Sequence, residues 1–161
     1  MTFSRGNRAV SRTRVSGVVD VEAAVYDTPP ATFSGPWSGA VVSPALLRWD
    51  LLSKGEQVVA WQKPVDFRLR LQPAWRFRDV YAPGTRENRA GRPGRYRYYL
   101  ARRLDTTCLP NGSYQLEVEA FDEAGNEAFV RLPFRVANDA RIPAARRAAC
   151  RLVRSGSVRP S

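Results

Sequence analysis

Residues 104–136, LDTTCLPNGSYQLEVEAFDEAGNEAFVRLPFRV, decide the fold. Apolar and polar residues alternate on both sides of the EAGN segment, a period of two that is typical of β-strands with one buried face. A Pro-Asn-Gly turn precedes the first run, since Asn and Gly tolerate the positive φ angles of tight turns. The stretch therefore predicts a β-hairpin, and its apolar face comprises Tyr114, Leu116, Val118, Leu132 and Phe134.

The same alternation recurs upstream in SGVVDVEAAVYD (16–27), PALLRWDLLSKGE (44–56) and PVDFRLRLQP (64–73). We expect a turn at residues 53–56 with VVAWQ as the returning strand, and AWRFRDVY (74–81) as a further short strand. The prolines at both ends of PVDFRLRLQP bound that run, because a proline cannot donate to the ladder. About seven short strands with almost no helical periodicity predict an all-β, two-sheet β-sandwich. The upstream runs add Val19, Val21, Trp49, Leu51, Phe67 and Leu69 to the predicted core.

Other segments depart from this alternation. Residues 82–95, APGTRENRAGRPGR, hold Gly and Pro without apolar periodicity, so we expect an inserted loop rich in Arg, Gly and Pro. After Asn138 the alternation stops, and AARRAACRLVR has the propensity of a short helical tail. The predicted organisation is a basic N-terminal extension, a β-sandwich and a basic C-terminal tail, at residues 1–14, 15–138 and 139–161.

The composition excludes much catalytic chemistry. The 161 residues carry a formal net charge of +11 and include no histidine, so there is no Ser-His or Cys-His pair and no ordinary hydrolytic zinc site. We therefore expect a binding or accessory role with no catalytic residues, metal or cofactor. No apolar run approaches the ~18 residues of a membrane span, and the sequence shows no apolar region of an export signal. The chain is then either cytoplasmic or part of a longer exported protein.

Basic charge is concentrated in three segments. Residues 1–14 contain four arginines and no acid, residues 81–103 seven arginines and one acid, and residues 141–161 six arginines and no acid. The other residues carry a net charge of −5. Of the 26 basic residues 24 are arginine, which indicates either selection for the planar guanidinium group or coding bias in the genome.

The inserted loop and the strand after it interleave arginine with tyrosine. Guanidinium groups suit phosphate or carboxylate, and tyrosine rings offer flat faces for stacking. A solvated loop whose tyrosines pack on the sheet edge is the alternative. Nucleic acid is a rival partner because the pI is about 10.7, although no nucleic-acid-binding motif is present. The candidate polyanion-binding residues are Arg86, Arg89, Arg92, Arg95, Tyr96, Arg97 and Tyr98.

The acids and the cysteines allow weaker predictions. Glu117 and Glu119 alternate with apolar neighbours, which predicts a solvent-facing row. An Asp-rich calcium loop is missing, so we predict no metal site there. Cys108 and Cys150 are the only cysteines. In an exported chain they are the only pair available for a disulfide, whereas in the cytoplasm both are free thiols.

Two of these runs carry a family resemblance. The pattern D-T-x-x-L-P-N-G-x-Y-x-L-x-V-x-A-x-D-x-x-G-N, at residues 105–126, resembles the last strands of bacterial immunoglobulin-like domains. The run SGVVDVEAAVYD is similar to an early strand of the same domains. The resemblance implies an immunoglobulin-like sandwich in which Tyr114 spans the sheets and its hydroxyl finds a backbone partner.

The arginine-rich insert is similar to one in the immunoglobulin-like domains that follow exported lysostaphin-type zinc peptidases. Those peptidases cut peptidoglycan cross-links and bind zinc through H-x-x-x-D and H-x-H motifs, which a chain without histidine lacks. The resemblance implies a non-catalytic accessory domain, extracellular or associated with the bacterial cell wall. Such a domain positions a covalently linked peptidase domain on anionic wall polymer. The alternative is a free-standing basic protein that binds nucleic acid through its arginine-rich segments.

Overall fold

The computed structural model describes residues 1–6, 8–29, 31, 34–68 and 73–139. The strands β1 (Thr2–Arg5), β2 (Arg8–Val10), β3 (Val18–Ala24) and β6 (Arg97–Asp105) form one antiparallel sheet, in the order β2-β1-β3-β6. The strands β4 (Leu46–Ser53), β5 (Glu56–Asp66), β7 (Gly112–Phe121) and β8 (Glu127–Val136) form the second, in the order β5-β4-β7-β8. The predicted all-β, two-sheet sandwich is confirmed.

Both predicted turns between strands are confirmed. The hairpin expected in residues 104–136 is β7 and β8, which pair in continuous register along their whole length. The turn at residues 53–56 joins β4 to β5, with Lys54 and Gly55 at φ angles of 53° and 83°. Two consecutive positive φ angles are what a type I′ hairpin turn requires, and this turn matches the twist of the flanking strands.

The inward residues of the two sheets form one hydrophobic core. Trp49 joins the sheets directly, since its indole N–H donates to the carbonyl of Leu100 at 2.6 Å. Among the residues predicted for the core, Phe67 is half-buried against it and Leu69 lies outside the described residues. The others are buried as predicted: Val19, Val21, Trp49, Leu51, Tyr114, Leu116, Val118, Leu132 and Phe134.

The N-terminal segment, predicted as an extension of the sandwich, contributes β1 and β2 to the first sheet. Phe3 of β1 is buried, and its ring centroid lies 4.9 Å from that of Phe134. Beyond β2 the chain runs beside the second sheet, where the Val15 amide donates to the Arg135 carbonyl at 2.8 Å. These strands have only four and three residues, too few for alternation to identify them in the sequence.

The strand boundary predicted at Pro64 is wrong. β5 continues through Pro64 to Asp66, because β5 is the edge of its sheet and a proline there removes no ladder donor. The end of the predicted run, residues 69–72, lies outside the described part of the chain.

The strand predicted for residues 74–81 is also wrong. Ala74–Arg76 forms a 3₁₀ turn, and the helix α1 (Phe77–Val80) follows it. The Arg102 guanidinium donates to the Asp79 carboxylate at 2.6 Å and to the Arg78 carbonyl at 3.1 Å. These bonds stabilise the helical turn, because they supply a donor to a carbonyl near its C-terminal end.

The motif at the start of β7 closes one end of the sandwich. The Tyr114 hydroxyl donates to the Pro110 carbonyl at 2.8 Å, which confirms the predicted backbone partner. The side chain of buried Asn138 donates to the Thr106 carbonyl at 2.8 Å and accepts from the Gly17 amide at 3.2 Å. These contacts join the ends of β3, β6 and β8, so the residues of this turn region serve folding.

Two predictions concern the remaining parts of the chain. Residues 140–161, which include the whole predicted helical segment AARRAACRLVR, lie outside the described residues. Within the ranges that the structure describes, no helix combines the length and apolarity needed to cross a bilayer.

Candidate functional site

The arginine-rich insert is a paired hairpin, whereas the sequence predicts an open loop. Arg86 and Arg95 exchange two backbone hydrogen bonds of 2.9 Å. Nearer the tip, Arg89 and Arg92 exchange two of 2.9 and 2.8 Å. We call residues 86–95 the arginine hairpin.

The side chain of Asn88 fixes this hairpin to the chain segment that precedes β4. Its Oδ1 accepts from the amides of Gly94 at 2.7 Å and Val41 at 3.1 Å, and its Nδ2 donates to the Val41 carbonyl at 2.7 Å. At the tip, the Gly91 amide donates to the Pro36 carbonyl at 2.6 Å. Because these bonds hold both arms and the tip, the hairpin is an ordered element.

The hairpin presents four exposed arginines in two cross-strand pairs, Arg86 with Arg95 and Arg89 with Arg92. Hydrogen-bonded antiparallel partners lie about 5.5 Å apart at Cα with their side chains on the same face. None of these four guanidinium groups forms a salt bridge with the described residues. The pairs therefore concentrate positive charge at the surface.

Arg97 and Tyr98 of the predicted site do not join this surface. Arg97 donates to the Glu22 carboxylate at 2.7 Å, and Glu22 is buried. Tyr98 is fully buried, and its hydroxyl donates to the Ser43 hydroxyl at 2.9 Å. Burial raises the pKa of the Tyr98 phenol above its ordinary value. The predicted stacking at Tyr98 is wrong, because strand alternation turns this ring into the core.

Tyr96 is half-buried between the hairpin and an aromatic cluster. Its ring centroid lies 6.4 Å from that of Tyr81, and Tyr81 lies 5.3 Å from both Tyr98 and Phe77. Burial also raises the pKa of the Tyr81 phenol. The cluster supports the base of the hairpin. This packing agrees with the alternative stated for the sequence, in which the tyrosines pack on the sheet edge.

Trp37 is the aromatic residue beside the hairpin that the sequence did not identify. It is 51% exposed and ends the 3₁₀ turn Gly35–Trp37, whose Pro36 carbonyl accepts from the hairpin tip. Trp37 therefore directly follows Pro36, the residue that is bonded to Gly91 at the hairpin tip. No local signal marks it, because about 50 residues separate it from the tip in the chain and only tertiary structure brings them together.

The acids of the second sheet form buried pairs on its outer face, where the sequence predicts a solvent-facing row. Glu117 and Glu119 are both buried and form salt bridges with Arg131 and Arg48 respectively. The Arg48 guanidinium also lies over the Trp61 ring, at 4.8 Å from its centroid. Long side chains thus cover the carboxylates, because arginine spreads its stem along the sheet while its head stays at the surface.

Asp50 lies opposite Glu117 in the same face and is only 2% exposed. Its Oδ2 accepts from Gln57 at 2.5 Å, whereas its Oδ1 is buried and has no hydrogen-bond partner among the described residues. Burial raises the pKa of the Asp50 carboxyl, and the neighbouring charges of Glu117 and Glu119 add to this effect. The described ranges contain no group of acids or cysteines placed to hold a metal ion.

Cys108 ends the 3₁₀ turn Thr106–Cys108 and is half-buried. It is not a free thiol. Its predicted partner Cys150 lies outside the described residues, so the pairing of these two cysteines stays a prediction.

The comparisons with known proteins return no relative. No family model matches the sequence, no curated protein matches it, and no solved structure matches it. The fold and the surface chemistry therefore carry the functional inference.

Proposed function

We propose that this chain is a non-catalytic, immunoglobulin-like accessory domain of an exported bacterial protein. In this proposal it acts outside the cell, and the arginine hairpin positions a covalently linked cell-wall peptidase domain on anionic wall polymer. The observation that carries the proposal is the braced hairpin with four exposed guanidinium groups and no acidic partner among the described residues. The lack of histidine supports a role without catalysis.

The arginine side chains contribute little to holding the hairpin together, since their one bond across it within the described residues is the long one from the Arg86 Nε to the Pro93 carbonyl, at 3.4 Å. Its bracing comes from Asn88 and from backbone bonds such as that of Gly91 to Pro36. Like charges directly opposite each other destabilise a strand pair by about 0.2–1 kcal/mol. A polyanion offsets this repulsion when it binds, so the arrangement favours a ligand with closely placed negative groups.

Trp37 supports a polymer that carries sugar rings as well as charge. An exposed indole offers a flat apolar face, and stacking on it does not weaken with salt. Duplex DNA matches the guanidinium groups but keeps its base faces stacked inside the helix. Binding to duplex DNA would therefore be almost wholly Coulombic, whereas binding to an anionic glycan polymer would keep a salt-resistant part.

The experiment measures binding of the purified chain to anionic wall polymer and to duplex DNA over a salt series. The variant Arg89→Ser/Arg92→Ser removes the tip pair. The matched control Arg8→Ser/Arg12→Ser removes two exposed arginines from the N-terminal segment. We expect the tip variant to lose wall-polymer affinity by about tenfold or more at low salt, and the control to lose much less.

Trp37→Ala separates the two contributions. We expect it to keep the salt-dependent part of wall-polymer binding and to lose the salt-resistant part. Equal losses in the tip variant and its control would show that net charge alone drives binding, and the proposal would fail. Tighter binding to duplex DNA than to wall polymer at physiological salt would favour the nucleic-acid alternative instead.

A further inference from the structure

A second arginine-lined feature lies at the opposite end of β6 from the arginine hairpin. It is a shallow surface depression of about 390 Å³ lined by Arg5, Gly6, Val18, Val19, Asp20 and Arg103. About six residues of extended strand separate Arg97 from Arg103, which is roughly 20 Å. The depression is therefore distinct from the hairpin surface.

Arg103 has a backbone conformation that an arginine rarely adopts. Its φ angle is 56°, and Lys54 is the only other non-glycine residue with positive φ among those described. Lys54 lies in a hairpin turn that requires this angle, whereas Arg103 lies within β6 at a shift in register with β3. The Asp20 carboxylate accepts from the Arg103 amide at 2.7 Å and holds the bulge. Bulges redirect a side chain, and here the redirected side chain lines the depression.

Arg5, the second arginine that lines the depression, is held in place by backbone carbonyls. Its Nη2 donates to the Ser16 carbonyl, and its Nε donates to the Val18 carbonyl at 3.4 Å. Gly17 adopts a φ angle of 67° beside it, and a Cβ at that position would be in ordinary van der Waals contact with the Arg5 Nη2, at 3.4 Å. Neither Arg5 nor Arg103 forms a salt bridge with any residue that the structure describes.

The net charge of the rim indicates the charge of the anion that it would hold. Two guanidinium groups and one carboxylate line the depression, so the rim has a net charge of +1. One oxygen of that carboxylate, on Asp20, is already bonded to the Arg103 amide. A monoanion balances this charge, whereas a phosphate dianion would exceed it. Val18 is 38% exposed and adds an apolar flank.

We propose that this depression binds the carboxylate of an organic monoanion, held between the guanidinium groups of Arg5 and Arg103. Guanidinium presents a planar fork of donors that matches a carboxylate, and Val18 contacts the apolar body that carries it. The carboxylate belongs either to a small free acid or to the C-terminal end of a peptide. Both sources share this chemistry.

The test is an amide NMR titration of the ¹⁵N-labelled full chain at constant ionic strength. The probes are acetate, N-acetylalanine, N-acetyl-trialanine and N-acetylalaninamide, the last of which lacks the charge. We expect saturable shifts at the amides of Gly6, Val18 and Asp20 with the three carboxylates and none with the amide. Equal affinity for acetate and the peptide would identify a small free acid. Affinity that rises with peptide length would identify a peptide end.

Arg103→Gly separates binding from folding. Glycine adopts a positive φ without strain, so this variant should be at least as stable as the wild type, yet its affinity for the carboxylates should fall about tenfold or more. Lys54→Gly is the matched control, because it also removes one cation at positive φ but lies away from the depression. We expect the control to bind like the wild type.

Three results would overturn this inference: no localised shifts, equal shifts with the uncharged amide, or equal losses in Arg103→Gly and Lys54→Gly. The variant Arg89→Ser/Arg92→Ser should leave this titration unchanged. The depression and the arginine hairpin are thus tested separately, and either can fail without the other.

Discussion

The arginine hairpin and the outer face of the second sheet are both dense in charge, yet the two regions treat charge in opposite ways. In the hairpin, like charges face each other across the strands and stay exposed. On the outer face, Glu117 and Glu119 are buried and each is paired with an arginine of a neighbouring strand. The first arrangement leaves charge for a partner, and the second uses charge within the fold.

This difference shows that the neighbours of a charged residue decide its role. In the sheet, Glu117 and Glu119 each have an arginine as a cross-strand neighbour, so these two charges are matched within the molecule even though Glu117 also faces Asp50 on its other side. The hairpin is held mainly by an asparagine and by backbone bonds, and the Arg86 Nε adds a bond of 3.4 Å to the Pro93 carbonyl. Its arginines form no salt bridge within the described residues. Charge that the fold does not neutralise is the better guide to a binding surface.

Removal of core packing under the second sheet should have the largest effect. Leu116 is 1% exposed, and Leu116→Ala should lower the free energy of unfolding by about 2–5 kcal/mol. Arg92→Ser in the hairpin should change it by less than about 0.5 kcal/mol, since surface substitutions are usually small. Chemical denaturation measures both. Comparable losses would show that the hairpin is part of the cooperative core.

Loss of the hairpin brace should have the next largest effect. Asn88→Ala leaves the amides of Gly94 and Val41 without their acceptor, which should cost about 1–3 kcal/mol. Hydrogen exchange should show faster exchange at these two amides, with the amides of β7 unchanged. Retained protection at Gly94 would mean that the backbone bonds alone order the hairpin.

The buried carboxyl of Asp50 on the outer face, whose Oδ1 has no hydrogen-bond partner among the described residues, gives a prediction about pH dependence. Burial raises the pKa of Asp50, so its ionisation opposes folding, and this penalty is absent below the ordinary Asp pKa of about 3.8. It is fully present above the raised pKa of the folded state. Asp50→Asn should therefore stabilise the protein by about 1 kcal/mol at neutral pH, and the gain should vanish in acid.

Thermal unfolding of Asp50→Asn and of the wild type from pH 3 to pH 8 checks this prediction. The difference in stability between the two proteins at each pH separates the effect of Asp50 from those of Glu117 and Glu119. Gln57→Ala is a useful companion, because it removes the hydrogen bond to Asp50 and should destabilise the protein at neutral pH. A gain from Asp50→Asn that is the same at every pH would contradict a raised pKa.

Relief of repulsion in the hairpin should have the smallest effect on stability. Arg95→Gln removes one member of the Arg86 pair and should stabilise the protein by a few tenths of a kcal/mol, about the scale of like-charge cross-strand pairs. High salt should remove the gain through screening. The control Arg12→Gln should show no gain, and an equal gain there would indicate relief of general net charge.

Much of the fold follows from alternation along the sequence, but tertiary partners decide the rest. Residues 104–136 contain all of β7 and β8, the turn before β7 and the turn that joins the two strands. Their pairing therefore does not depend on residues far away in the sequence. Residues 74–81 alternate as well, yet they form helical turns in which Val80 is buried and to which Arg102 bonds. A pattern of eight residues carries too little energy to override such a contact.

The candidate site divides in a similar way. The four hairpin arginines are predictable, since a Gly- and Pro-rich segment with no apolar period must lie on the surface. Tyr98 could have been excluded by the same alternation that identified the strands, which places it on the core face. Trp37 could not have been found, because its proximity to the hairpin depends on bonds between distant segments, those of Gly91 to Pro36 and of Asn88 to Val41.

The pairing of the hairpin also fixes a spacing between its charges. Three residues separate Arg86 from Arg89, and likewise Arg92 from Arg95, so the Cα atoms of the two pairs lie at most about 10 Å apart along the hairpin. This is close to the Debye length of about 8 Å at physiological ionic strength, so the two pairs are only weakly coupled through the solvent. Under the proposed function, a flexible polymer with closely spaced anionic groups would contact both pairs, and the second contact would form at high effective concentration. Affinity would then depend on the density of charge along the polymer as well as on its total charge.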